Sequence, residues 1–70
     1  MDLATLRKKR GLSQEQLARE LGLKGKASVC EIERTGRAAP ERALKIEAWS
    51  GGKIQAHTLN PLVAQLRANG

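Results

Sequence analysis

Seventy residues are enough for one small domain, and the chain reads as a single domain spanning residues 1–70. Thirteen Lys and Arg against seven Asp and Glu give a net charge of +6, which points to a polyanionic partner, either nucleic acid or an acidic membrane surface. The longest strictly apolar run, Leu62-Val63-Ala64, excludes a transmembrane helix and a secretory core segment, so the chain reads as soluble and intracellular.

Cys30 is the only cysteine, so an internal disulfide and a cysteine-rich zinc site are excluded, and His57, the only histidine, has no Cys partner nearby in the sequence for a metal. No phosphate-binding glycine loop and no GxSxG nucleophile motif occurs, and carboxylates at a useful spacing are missing as well. The expectation is a protein without catalysis, cofactor, metal or small-molecule substrate. Fifteen Leu, Ile and Val residues and one aromatic residue make a small core, for which a dimer is an expectation.

In chain order, Asp2 to Arg10 is the first predicted helix, with Leu3 and Leu6 on one face. Ser13-Gln14-Glu15-Gln16 has the form of a capping box and opens a second helix to Leu21, with Leu17, Ala18 and Leu21 inward. A third helix runs from about Lys26 to Thr35, with Val29 and Ile32 inward; Cys30, next to Val29, is expected as a partly buried small hydrophobe. Pro40 suits the first position of a fourth helix ending near Ser50. Gly11, Gly22, Gly36 and Gly51 each stand where a helix would end in a left-handed residue. From Gly51 to Thr58 the signal weakens, Gly51-Gly52 reading as a turn and Lys53-Ile54-Gln55 as extended. Asn60-Pro61 opens a last helix to about Ala68 with a stripe of Leu59, Leu62, Val63 and Leu66. The fold class is all-α: a compact bundle of four to five short helices.

The second and third helices, joined by a short turn containing Gly22, fit a helix-turn-helix over about residues 13–35. Ala18 is small enough for close crossing, and Leu17, Leu21, Val29 and Ile32 would lock the pair. The outer face of the third helix is then free to enter a major groove. Lys26, Ala27, Ser28 and Glu31 are the candidates on that face. Lys26 has the chemistry to donate to guanine O6 and N7, Glu31 to accept from cytosine N4, and Ala27 to touch a thymine methyl.

Gly-Leu-Ser-Gln-x-x-Leu-Ala at 11–18, followed by Ile32-Glu33-Arg34-x-Gly36, resembles the Cro/C1-type helix-turn-helix family of phage and bacterial regulators. Ala39 to Ala48, with Gly51-Gly52-Lys53-Ile54, resembles the Cro-like and YdaS-like prophage branch. The resemblance departs at Lys24-Gly25-Lys26, where the turn is one residue longer, and at Trp49, which replaces a small residue. It implies phosphate contacts at Ser13 and Gln14, where a helix start offers free N–H groups. It also implies phosphate contacts at Arg34 and Arg37, while Lys24 is either a phosphate contact or an ordinary turn lysine. Arg7 and Glu33 match a structural ion pair of the family. The rest of the Arg7-Lys8-Lys9-Arg10 run reads as a solvated face, a phosphate-binding patch being the alternative.

Trp49, Leu62 and Leu66 are candidate dimer contacts, packing within the chain's own bundle being the alternative. The resemblance implies a cytoplasmic, nucleoid-associated regulator in a bacterial or phage-infected cell, with double-stranded DNA as partner. It would be a homodimer, at least on DNA, placing two recognition helices about 34 Å apart on a pseudo-palindromic operator. The alternative is a toxin–antitoxin component acting partly through protein–protein contacts.

Overall fold

The computed structural model of the protein describes residues 2–63. These form five helices: α1 (Leu3–Lys9), α2 (Gln14–Glu20), α3 (Lys26–Thr35), α4 (Pro40–Ser50) and α5 (Ala56–Leu59). Among the described residues there is no strand, so the all-α class expected from the sequence is the observed one. The chain divides into two compact units, residues 1–36 and 37–70.

The first unit holds α1, α2 and α3, with α3 packed on both of the others. Its buried side chains are Leu3 and Leu6 of α1, Leu17 and Ala18 of α2, Leu21, and Val29 and Ile32 of α3. These are the residues that helical periodicity places inward. Asp2 is the N-cap of α1, its Oδ1 accepting from Thr5 N–H at 2.7 Å. Side-chain and backbone hydrogen bonds from Thr5 hold the Asp2 carboxyl below the usual carboxylate range. That capping contribution is therefore present above the unfolded carboxyl value and is lost as pH falls through the lowered folded one. The helix starting at Gln14 begins with both halves of the capping box. Ser13 Oγ accepts from Gln16 N–H at 3.1 Å, and Gln16 Oε1 accepts from Ser13 N–H at 2.8 Å.

In the second unit α4 packs on α5, and Ala38, Ala43, Ile46, Ile54, Ala56, Leu59 and Val63 are buried. Pro40 stands in the first turn of α4, where its missing N–H costs nothing. Two polar side chains close the turn after α4. Ser50, itself buried, donates to Glu47 O at 2.9 Å and accepts from Ile54 N–H at 3.0 Å. Glu47 Oε2 accepts from Ala56 N–H at 3.0 Å and so holds the start of α5.

The stretch from 51 to 63 differs from the sequence expectation. Gln55 is extended, as expected, but α5 intervenes before the Asn60-Pro61 signal. A four-residue helix has no periodicity to read, and its anchor, Glu47, lies nine positions upstream. Asn60 does act as a cap, its Oδ1 accepting from Leu62 N–H at 3.0 Å, and Leu62 and Val63 are helical. Asn60 itself is extended, with φ −154° and ψ 110°, which resets the helical phase. Leu59 and Val63 are buried while Leu62 is 55% exposed, so the expected continuous stripe is broken at Leu62. The rest of that predicted helix, Leu66 included, lies outside the described residues.

Replacing Ser50 with Ala leaves the buried Ile54 N–H without an acceptor. The expected cost is about 1–3 kcal/mol, read as a lower urea midpoint at unchanged slope. An unchanged midpoint would show that this turn does not depend on the hydroxyl.

Candidate nucleic-acid interface

The turn between α2 and α3 ends the first helix with paired backbone bonds. Gly22 has φ +71°, a left-handed conformation that a side chain would strain. Its N–H donates to Arg19 O at 3.2 Å, and Leu23 N–H donates to Ala18 O at 2.8 Å. These two bonds are the Schellman arrangement, which satisfies carbonyls that the helix end would leave unpaired. Gly25, the N-cap of α3, is fully extended at φ 179°, a conformation open to any residue. Lys24, in this turn, is exposed.

On α3 the exposed residues are Lys26, Ala27, Cys30, Glu31, Arg34 and Thr35, while Val29 and Ile32 are buried. At 100° per residue, Ala27, Cys30, Glu31 and Arg34 fall in one stripe directly opposite the buried pair. Lys26 flanks that stripe on one side. Ser28 is half-buried, because it stands one turn from Ile32 and close to the packed side. Cys30 is exposed rather than partly buried. Adjacency to Val29 in sequence is misleading on a helix, since one step turns the side chain away from its neighbour's direction. The spacing of Cys30 from Ala27 and Arg34, three and four positions, is the signal that locates it.

Behind this stripe, one carboxylate collects three donor groups from two residues, one on α1 and one on α2. Arg7 Nε donates to Glu33 Oε2 at 2.7 Å, and Arg7 Nη2 to Oε1 at 3.4 Å. Gln14 Nε2 donates to the same Oε1 at 3.0 Å. Arg7 Nη1 donates to Leu12 O at 2.9 Å, reaching the loop between α1 and α2. The Arg7 and Glu33 side chains are only 13% and 11% exposed, so this ion pair is shielded from water. It contrasts with Arg19 and Glu15 on the outer side of α2, 3.5 Å apart but 77% and 65% exposed, an arrangement of little energetic weight.

The remaining residues expected to meet phosphate are spread more widely. Ser13 is exposed and spends an acceptor lone pair on its cap. Gln14 is half-buried, with one of its donors on Glu33. Arg34 is exposed near the end of α3, whose terminus is Gly36 at φ +70°. Arg37, also exposed, belongs to the second unit, as do half-buried Trp49 and exposed Leu62. Among the described residues no cluster of His, Cys, Asp and Glu could hold a metal ion, and no helix is long and apolar enough to cross a membrane.

Glu33→Ala strands the Arg7 guanidinium in a shielded position and removes the acceptor of Gln14. The expected loss of unfolding free energy is about 2–3 kcal/mol. Arg34→Ala, on the open face, should stay within about 0.5 kcal/mol of the parent. Equal urea midpoints for the two variants would contradict the scaffold role of Glu33.

A family model described as helix-turn-helix matches residues 3–48, which covers α1 to α3 and most of α4. No curated protein sequence matches the chain, and no solved structure does. The matched region covers well over half of the 70 residues and contains the whole α2–turn–α3 unit. The chain belongs to the helix-turn-helix family of the Cro/C1 type, a family of DNA-binding transcription regulators.

Proposed function

We propose that the protein is a sequence-specific repressor of the Cro-like prophage branch that acts by occupying an operator, with no catalytic step. The observation that carries this reading is the open stripe of α3. Ala27, Cys30, Glu31 and Arg34 face outward from a helix whose other side is locked by Val29, Ile32 and Glu33. A rigid helix with a free outer face is what a major groove admits.

Base reading is assigned to Lys26, Ala27, Ser28 and Glu31. Glu31 is the residue on which the assignment leans most, because a carboxylate repels phosphates and finds its partner in an exocyclic amino group such as cytosine N4. Ser13, Gln14, Lys24, Arg34 and Arg37 are assigned to phosphates, which set register and orientation without reading sequence. The excess of basic residues supplies the long-range attraction, and log affinity should fall with log salt by about 0.9 per phosphate neutralised.

The operator is proposed to be a pseudo-palindrome bound by two copies of the chain in the cytoplasm. Exposed leucines on the second unit, Leu44 at 41% and Leu62 at 55%, support a surface for self-association, to which Trp49 and Leu66 are also assigned.

Selection of bound duplexes from a random library, repeated with two variants, tests the assignment. Glu31→Ala should relax preference at one base pair and cost about 1–3 kcal/mol on the selected site. Gln14→Ala should weaken all sequences alike. Identical sequence profiles for the two variants would contradict the division into base and phosphate contacts.

A further inference from the structure

We propose that Glu33 is a positioning residue for DNA binding: it sets the orientation of the Gln14 side-chain amide so that an N–H, and not the carbonyl, is presented to a phosphate. The proposal rests on the phosphate contact assigned to Gln14 above and adds to it the reason the contact has the right polarity.

A glutamine amide has a donating end and an accepting end of nearly the same size, and a free one exchanges them by a half-turn about its last bond. Only the donating end suits a phosphate oxygen. In the structure Gln14 Nε2 donates to Glu33 Oε1 at 3.0 Å. An ionised carboxylate has no proton to give, so the reversed amide would bring two acceptors together. The half-turned state is thereby removed. One Nε2 proton is spent on Glu33, and the second is held at a fixed angle to it, available to a further acceptor.

Arg7 makes this arrangement compatible with a polyanion. Its Nε stands 2.7 Å from Glu33 Oε2, and its Nη2 is 3.4 Å from the same Oε1 that receives Gln14. The guanidinium offsets the charge of the carboxylate, which otherwise would repel the phosphate that Gln14 is to meet. The shielding of both side chains from water keeps the pair from exchanging partners with solvent. Glu33 thus acts on DNA affinity without touching DNA.

The test is a double-mutant cycle on the full chain, using a short random-sequence duplex at low salt, because a phosphate contact needs no particular site. Gln14→Ala, Glu33→Gln and the double variant are each checked for the parent pattern of backbone amide NMR signals before titration. Gln14→Ala should weaken binding about tenfold and Glu33→Gln about three- to tenfold, a range set by the net worth of an ordinary hydrogen bond. The double variant should bind no more weakly than Gln14→Ala alone. An undiminished affinity of Glu33→Gln, or the same further loss in the Gln14→Ala background, would overturn the positioning role while leaving the phosphate contact standing. An unchanged affinity of Gln14→Ala would remove the phosphate contact itself, and the inference with it. Should Glu33→Gln not fold, the parent protein decides through the two Nε2 proton signals of Gln14. Addition of duplex should shift one and leave the other in place; shifts of both or of neither would overturn the proposal.

Discussion

The carboxylate of Glu33 is the point on which the first unit is hung. It receives Arg7 from α1 and Gln14 from the start of α2, and Arg7 reaches on to Leu12 O in the intervening loop. Hydrogen bonds to charged groups are worth about 1.5–3 kcal/mol, and a shielded pair that loses one partner costs more than the pair contributes. The apolar contacts of Leu17, Val29 and Ile32 bring α2 and α3 together, but apolar packing is tolerant of small rotations. The polar cluster is not: a planar guanidinium and a carboxylate meet at one geometry. It therefore fixes how far α3 is turned about its own axis, and so which residues look outward.

That rotation is what matters for the proposed reading of DNA by α3. With Glu33 committed inward and Val29 and Ile32 in the core, Ala27, Cys30, Glu31 and Arg34 are the residues left facing out. The charges divide the same way. Arg7 and Glu33 serve the scaffold, whereas Lys26, Glu31 and Arg34 remain on the surface. The outer face mixes a small methyl, a thiol, a carboxylate and a guanidinium. Within the second unit, Ser50, Glu47 and Asn60 hold turns of its own.

Where signals are local, the sequence was informative. Ser13 and Gln16 stand three apart and make both capping-box bonds, Pro40 opens α4, and Gly11, Gly22, Gly36 and Gly51 take φ values between +67° and +71° at helix ends. Each is a steric or hydrogen-bonding demand met within a few positions. The losses come where structure is decided at a distance. α5 depends on Glu47, nine positions earlier, and Gln14 meets a carboxylate 19 positions on. The pairing of Arg7 with Glu33, 26 positions apart, has no local signature, and only the family resemblance points to it. Cys30 departs from expectation for a different reason: its exposure follows from its angle on the helix, which its buried neighbour Val29 does not share. The family match covers residues 3–48, so the helix-turn-helix has support from both directions, while the segment after Ser50 has support from the structure alone.

On the proposed function, the outward stripe of α3 is the surface that meets DNA. Titration of isotopically labelled protein with duplex oligonucleotide tests it directly through the amide signals of the first unit. The largest shifts are expected at Ala27, Cys30, Glu31 and Arg34, with the start of α2 following and the outer side of α2 around Glu15 and Arg19 unmoved. Saturable binding that leaves the α3 signals in place, or moves the Glu15–Arg19 side instead, would contradict it.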